Sequence, residues 1–127
     1  MGILSVIAAA AGAWIFGAIW YGVVAKQWMA AAGLTEETIN RQNYVAFAGS
    51  FLCAILVAGM SRHIFQTAGI DTVIAGAVTG FGLGLFIATP WLATNYMFAQ
   101  RPFRLTVIDG LYATVGCTVI GAVLTLF

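Results

Sequence analysis

The chain has 127 residues, 62% of them hydrophobic and only 7% charged, with a net charge of +1 and a mean hydropathy of +1.01. A water-soluble globule of this size would lack the polar surface to cover itself. A near-neutral chain also lacks the basic face that nucleic-acid phosphates demand, so nucleic acid is excluded as a partner.

Four apolar stretches, at 2–25, 42–61, 72–100 and 105–127, fill most of the sequence, and only Asp109 places a full charge inside one of them. Each is about twenty residues or longer, enough to cross a hydrocarbon core of about 30 Å. The fold class that follows is all-α: a single integral membrane bundle of four transmembrane helices, with membrane lipids as its surroundings.

The first stretch carries small residues at Ala8, Ala9 and Ala10 that would suit a leader cleavage site. No Lys or Arg precedes them, however, and the apolar run exceeds a typical leader core, so the reading is a permanent helix. It is expected over 2–32, through Lys26 and Trp28 to Gly33, a residue suited to a left-handed C-cap. Thr35 can cap a second helix, expected over 36–62, with Glu36 and Glu37 at the positive end of its dipole. Trp28 and Tyr44 suit interfacial anchoring.

The third helix, over 72–100, would be about 44 Å long and must tilt, bend or protrude. Pro90 is the predicted bend, because it lacks an N–H and crowds the carbonyl of Phe86. Thr89 or Thr94 can hydrogen-bond a carbonyl so freed. Residues 101–104, with Pro102 among them, form a tight turn into the fourth helix, over 105–127, making an antiparallel hairpin.

All four stretches carry small residues at four-residue spacing: Ala9, Ala13 and Gly17; Ala46, Ser50, Ala54 and Ala58; Gly76, Gly80, Gly84 and Ala88; Ala113, Cys117 and Gly121. Such rows lie along one helix face and let backbones approach closely. The row of Gly76, Gly80, Gly84 and Ala88 marks a close crossing, within the chain or between copies. Alternating topology sets Lys26, Arg41, Arg101 and Arg104 on one side against Arg62 on the other. The positive-inside rule then makes the first side cytoplasmic and turns both termini outward.

Polar side chains gather at that cytoplasmic end. Asn95 and Asp109 fall at matching depths in the hairpin, so Asn95 can donate its amide to the carboxylate and Tyr112 can add a hydroxyl. Arg101 and Arg104 above can hold Asp109 ionised, and Trp20, Tyr21, Lys26, Asn43 and Tyr44 reach the same level. One reading is structural, with Asp109 paired to an arginine and locking the hairpin. It is favoured because a carboxylate near a helix end costs less than the ~3 kcal/mol expected at mid-bilayer. The other is a shallow cytoplasm-facing pocket for a small polar ligand, an ion or a lipid head group.

His63 is the single histidine, and Cys53 and Cys117 sit mid-stretch in different segments. No H-E-x-x-H, G-x-S-x-G or P-loop pattern appears. The expectation is a protein with no cofactor, no metal and no enzymatic activity.

Three motifs carry a resemblance: Phe16-Gly17-Ala18-Ile19-Trp20-Tyr21-Gly22; Trp28-Met29 with Gly33-Leu34-Thr35-Glu36-Glu37; and Asn95-Tyr96-Met97-Phe98 with Arg101, Ile108-Asp109-Gly110 and Tyr112. Together they make the chain similar to a family of small bacterial membrane proteins described as domain of unknown function 1761. The likeness spans nearly the whole chain and departs at Ala99-Gln100, where the family would have an acidic residue and a glycine. It implies four membrane helices, a bacterial inner membrane and no assigned activity. The functional expectation is a self-associating homo-oligomer or an accessory subunit of a membrane complex. The alternative is a small channel or transporter whose polar entrance includes Asn95, Asp109, Tyr112 and Arg101.

Overall fold

The computed structural model describes residues 2–40 and 42–127, all-α with no strand among them; Arg41, counted in the charge bias above, lies outside the described residues. The elements are α1 (Gly2–Val23), α2 (Ala25–Ala32), α3 (Tyr44–Ala68), α4 (Val73–Leu83), a π-helical turn (Gly84–Ala88), α5 (Thr89–Phe98) and α6 (Phe103–Leu124). α4, the π turn and α5 run on as one helix, so four helices are long and apolar enough to cross a membrane. The chain is a multi-pass membrane protein.

Local chemistry sets the ends. The first helix reaches Ala32 as expected, but with a break: Val24 leaves helical geometry at φ −102° and ψ 22° and separates α2 from α1. Gly33 ends α2 in the left-handed region (φ 75°), with Leu34 N–H on the Met29 carbonyl. Gly69 ends α3 in the same way, with Ile70 N–H on Phe65. At Gly33 this is a Schellman end, in which two stray carbonyls, those of Met29 and Ala30, are satisfied by the turn itself, whereas at Gly69 both N–H groups share the Phe65 carbonyl.

The second helix begins later than 36. The Thr35 hydroxyl does accept from Thr38 N–H, but the Thr38 hydroxyl accepts in return from Thr35 N–H, so the turn closes on itself. The helix starts at Tyr44, capped by Asn43, whose side chain accepts from Ala46 N–H. It then continues past 62 to Ala68.

α6 is the centre of the bundle. It packs against every other helix, and 39% of its most apolar window is buried, against 17% for α3 and for the α4–α5 run. Its closest neighbour is α4. A Cβ built on Gly76 would stand 2.4 Å from the Gly121 carbonyl oxygen, on Gly80 2.1 Å from that of Cys117, and on Gly84 2.5 Å from the Thr114 Cα. Gly121 faces Gly76 as closely from the other side. The glycine row therefore meets α6 of the same chain.

Ala88 does not take the next place in that row. The π turn adds one residue to the helix, with Thr89 N–H bonded to Gly84 rather than Leu85. The five-residue step brings Thr89 against α6, where its hydroxyl donates to the Gly110 carbonyl (3.3 Å) and lies 3.3 Å from that of Thr114. Pro90 explains the step: it has no N–H for an α-helical bond to Phe86, and a local π adjustment is one way a membrane helix accommodates this. Neither threonine takes the freed carbonyl, since Thr89 turns to α6 and Thr94 donates to Pro90 itself (3.0 Å).

α1 lies on the other flank of α6, and α3 packs on α1 through an alanine seam. Ala9, Ala10 and Ala13 meet Ala54 and Ala58, closed off by Phe65, Ile120 and Leu124. Trp14 donates to the Ser50 hydroxyl (3.1 Å) and sets its ring edge against Phe51.

Gly80 and Gly82 provide a matched pair for testing the crossing. Gly80→Ala forces a methyl into backbone atoms that cannot swing aside, and is expected to cost roughly 1–3 kcal/mol. Gly82, with nothing within 4 Å of its Cβ position, should accept alanine at no cost. Unfolding midpoints of the two variants in detergent, titrated with a denaturing surfactant, measure the difference; equal midpoints would refute the backbone contact.

Candidate functional site

The polar cluster forms at the end of the bundle where α1 turns into α2 and where α5 turns into α6. Asp109, half-buried on α6, accepts hydrogen bonds on both carboxylate oxygens: from the Tyr21 hydroxyl of α1 on Oδ1 and from the Tyr96 hydroxyl of α5 on Oδ2. One residue earlier, the Ile108 carbonyl accepts from the Trp20 indole N–H (3.0 Å). Three helices are thereby tied at a single level.

Aromatic rings enclose the bonds. Trp28 of α2 and Tyr112 of α6 set their rings edge-on to Tyr21, with centroids 6.0 and 5.4 Å away. Phe16 stacks on Tyr112 and on Trp20. Gly17 makes room for this: its Cβ position is 2.7 Å from the Tyr112 ring. Beneath α2, Ala31, Leu105 and Ile108 form a small apolar core with Val24 and Tyr96 packed on it.

The expected members are distributed differently. Tyr21 and Asp109 are joined directly, and Tyr112 contributes its ring rather than a hydroxyl to Asp109. Asn95 is exposed on α5, on the side away from the cluster, and Tyr96 makes the bond foreseen for it. Arg104 is exposed. Arg101 donates instead to the Ala32 carbonyl (2.6 Å), the last of α2. Among the described residues no cation pairs with Asp109, so the arginine lock on the carboxylate is replaced by two phenols.

Arg101 has a clear role of its own. A cation at a helix C-terminus meets both an unsatisfied carbonyl and the negative end of the dipole. Its bond to Ala32 holds the short α2 down over Tyr21 and Leu105. Getting Arg101 there requires a sharp turn after α5, another Schellman end, with Arg101 N–H on Tyr96 and Gln100 N–H on Met97. Gln100 takes the left-handed position (φ 60°), the only non-glycine with positive φ among the described residues. This is where the family resemblance anticipates a glycine.

Two signals in the sequence bear on the bonds of this cluster, one at Tyr96 and one at Trp20. The half-buried face of α5 runs Thr89, Leu92, Ala93 and Tyr96, the spacing of one helix stripe, and Asn95 lies off it. Trp20, beside Tyr21 and one residue out of phase, offered an indole N–H that needs an acceptor when enclosed. Among the described residues no group of three or more His, Cys, Asp or Glu side chains gathers where a metal ion could be held.

Tyr21→Phe and Tyr96→Phe each leave one carboxylate oxygen without its donor, and each is expected to lower stability by about 1–2 kcal/mol. Asn95→Ala should change nothing measurable; if it destabilises as much as Tyr96→Phe, the assignment fails. Gln100→Gly relieves a left-handed non-glycine residue and should raise stability by about 1 kcal/mol. An unfolding titration in micelles reads all four variants.

Comparison with known proteins gives one relationship. No curated protein and no solved structure matches the chain. The family described as Protein of unknown function (DUF1761) matches residues 4–125, which include every residue of the cluster, the glycine row and the α2 cap. The chain belongs to the DUF1761 family.

Proposed function

We propose that this protein is a non-enzymatic component of the bacterial inner membrane that works by association, as a homo-oligomer or as an accessory subunit of a larger complex. The observation that carries this reading is the half-used face of α3. Its buried residues, Ala54, Ala58, Ser61 and Phe65, begin only at the eleventh of its 25 positions. Before them, Ala46 and Ser50 of the same small-residue row stand exposed, Ser50 with the Trp14 indole on its hydroxyl, and nothing lies within 4 Å of a Cβ at Gly49. A row of small residues open along half its length offers a second helix the close backbone approach on which association in lipid depends.

The state of Asp109 supports the same reading over a channel with its entrance at this cluster. Both its oxygens are engaged in tying helices together, which makes the carboxylate a fastener rather than a station for a passing solute. In this reading the end carrying Arg101 and Arg104 faces the cytoplasm and both termini face outward.

Native mass spectrometry of gently solubilised membranes tests the proposal. The expected species is a homo-oligomer or a complex with other subunits. Gly49→Leu, which fills open space without disturbing the fold, should shift it to the monomer. A monomer in both cases would overturn the proposal. So would an Asp109→Asn protein that stays folded and associated but shows altered solute flux in vesicles, because that outcome belongs to a channel.

A further inference from the structure

At the end of the bundle opposite Asp109, Arg62 lines two hollows at once. One is a groove of about 500 Å³ between α1 and α3, with walls that include Ile3, Val6, Ile55, Gly59 and His63. The other is a cavity of about 300 Å³ at the end of the bundle, bordered by Ser5, Gln66, Asp71 and Thr125. Arg62 is half-buried, and among the described residues its guanidinium has no hydrogen-bond or ion-pair partner. Asp71 is exposed on the rim of the second cavity and likewise has no cation against it.

The depth of this arrangement matters. Arg62 lies eighteen residues after Tyr44, so α3 carries it about 27 Å from its first turn, close to the far boundary of a hydrocarbon core about 30 Å thick. Ile55 is about 10 Å deeper than Arg62 on the same helix. The groove thus descends from a cation at interface level along an apolar wall toward mid-bilayer. Its width comes from Gly59, where a Cβ would find nothing within 4 Å.

A cation, a carboxylate on the same cavity and an apolar channel below match the parts of one molecule. We propose that the α1–α3 groove holds an acyl chain of a phospholipid with an amine-bearing zwitterionic headgroup, its phosphate on Arg62 and its ammonium on Asp71. The phosphate gives Arg62 the bidentate acceptor that it lacks within the chain. Asp71 sets the preference: it attracts a headgroup amine and repels a purely anionic headgroup. The site is independent of the Asp109 cluster and of the open face around Gly49.

The test is native mass spectrometry of the intact protein in micelles containing equal amounts of phosphatidylethanolamine and phosphatidylglycerol. Wild-type protein should retain phosphatidylethanolamine in excess. Arg62→Ala should lower total lipid retention about tenfold, as loss of a charge-assisted pair predicts. Asp71→Asn should bring the two lipids to parity while retention stays high. Gly59→Leu, filling the groove, should lower retention at an unchanged unfolding midpoint, which separates loss of the site from loss of the fold. Equal lipid retention by wild type, Arg62→Ala and Gly59→Leu would overturn the assignment. Preference for phosphatidylglycerol, or a Gly59→Leu effect confined to dissociating a second copy, would overturn it too.

Discussion

Inside a bilayer, an apolar side chain gains nothing by leaving lipid for protein, so helices hold together only as well as their backbones can approach. That constraint governs this chain. Gly76, Gly80 and Gly84 bring α4 so close to α6 that a single methyl would collide with carbonyl oxygens of the facing helix. The contact is nearly symmetrical, since Gly121 meets Gly76 on equal terms. With α6 seated in this way, every other helix has a fixed partner to pack on: α1 along one flank, α5 along the other, and α3 through alanines. Among the described residues the least exposed side chains are small, Ser5, Ala9, Ala10 and Ala58, as expected of a bundle held by proximity more than by bulk.

The polar cluster depends on that seating. Ile108 and Asp109 lie one turn before the residues of α6 that receive the glycine row, and the crossing therefore sets their height against α1 and α5. Tyr21, Tyr96 and Trp20 then only have to project toward them. A carboxylate shared by two phenols is a demanding arrangement, because hydrogen bonds need their partners within a few tenths of an ångström. The glycine contact supplies that tolerance: backbones in mutual contact cannot drift. Arg101 completes the closure by pinning α2 over the cluster through the Ala32 carbonyl.

Much of the architecture was legible in the residues alone. Hydropathy located the four spans, four-residue spacing located the crossing, and Gly33 marked the end of α2. The start of the second helix was not legible from Thr35, because Thr38 offered its hydroxyl back and closed the turn locally. Arg101 was read by charge, toward the nearest carboxylate, whereas a helix end within reach offered both a carbonyl and a dipole. Asn95 was read from its depth, which matches that of Asp109, and depth along a helix does not fix the face. On an unbroken α-helix, counting on from Gly84 puts 88 and then 95 on the face toward α6. Pro90 was recognised as a disturbance, but not as one that inserts a residue, and the π turn moves the face to Thr89 and Tyr96. A one-residue shift of register rotates every later side chain by about 100°, enough to exchange an amide for a phenol.

The same shift explains why the cluster is built from tyrosine. Thr89 spends its hydroxyl on Gly110 and Thr114, anchoring the helix directly after the π turn, and Tyr96 follows it at seven residues on the same stripe. A proline that removes one backbone hydrogen bond thereby helps decide which side chain reaches Asp109 two turns later. The fastened end is thus the sum of two backbone devices, a glycine crossing and a proline-induced π turn, each fixing a different coordinate of the same carboxylate. At the end carrying both termini the glycine crossing continues, through Gly76 and Gly121, but it seats α4 on α6 and leaves α1 and α3 untied. There α3 and α1 part around Gly59, and Arg62 faces the gap without a partner among the described residues. A bundle whose polar groups tie its helices at one end has that capacity already spent there, and still available beside the α1–α3 gap at the other.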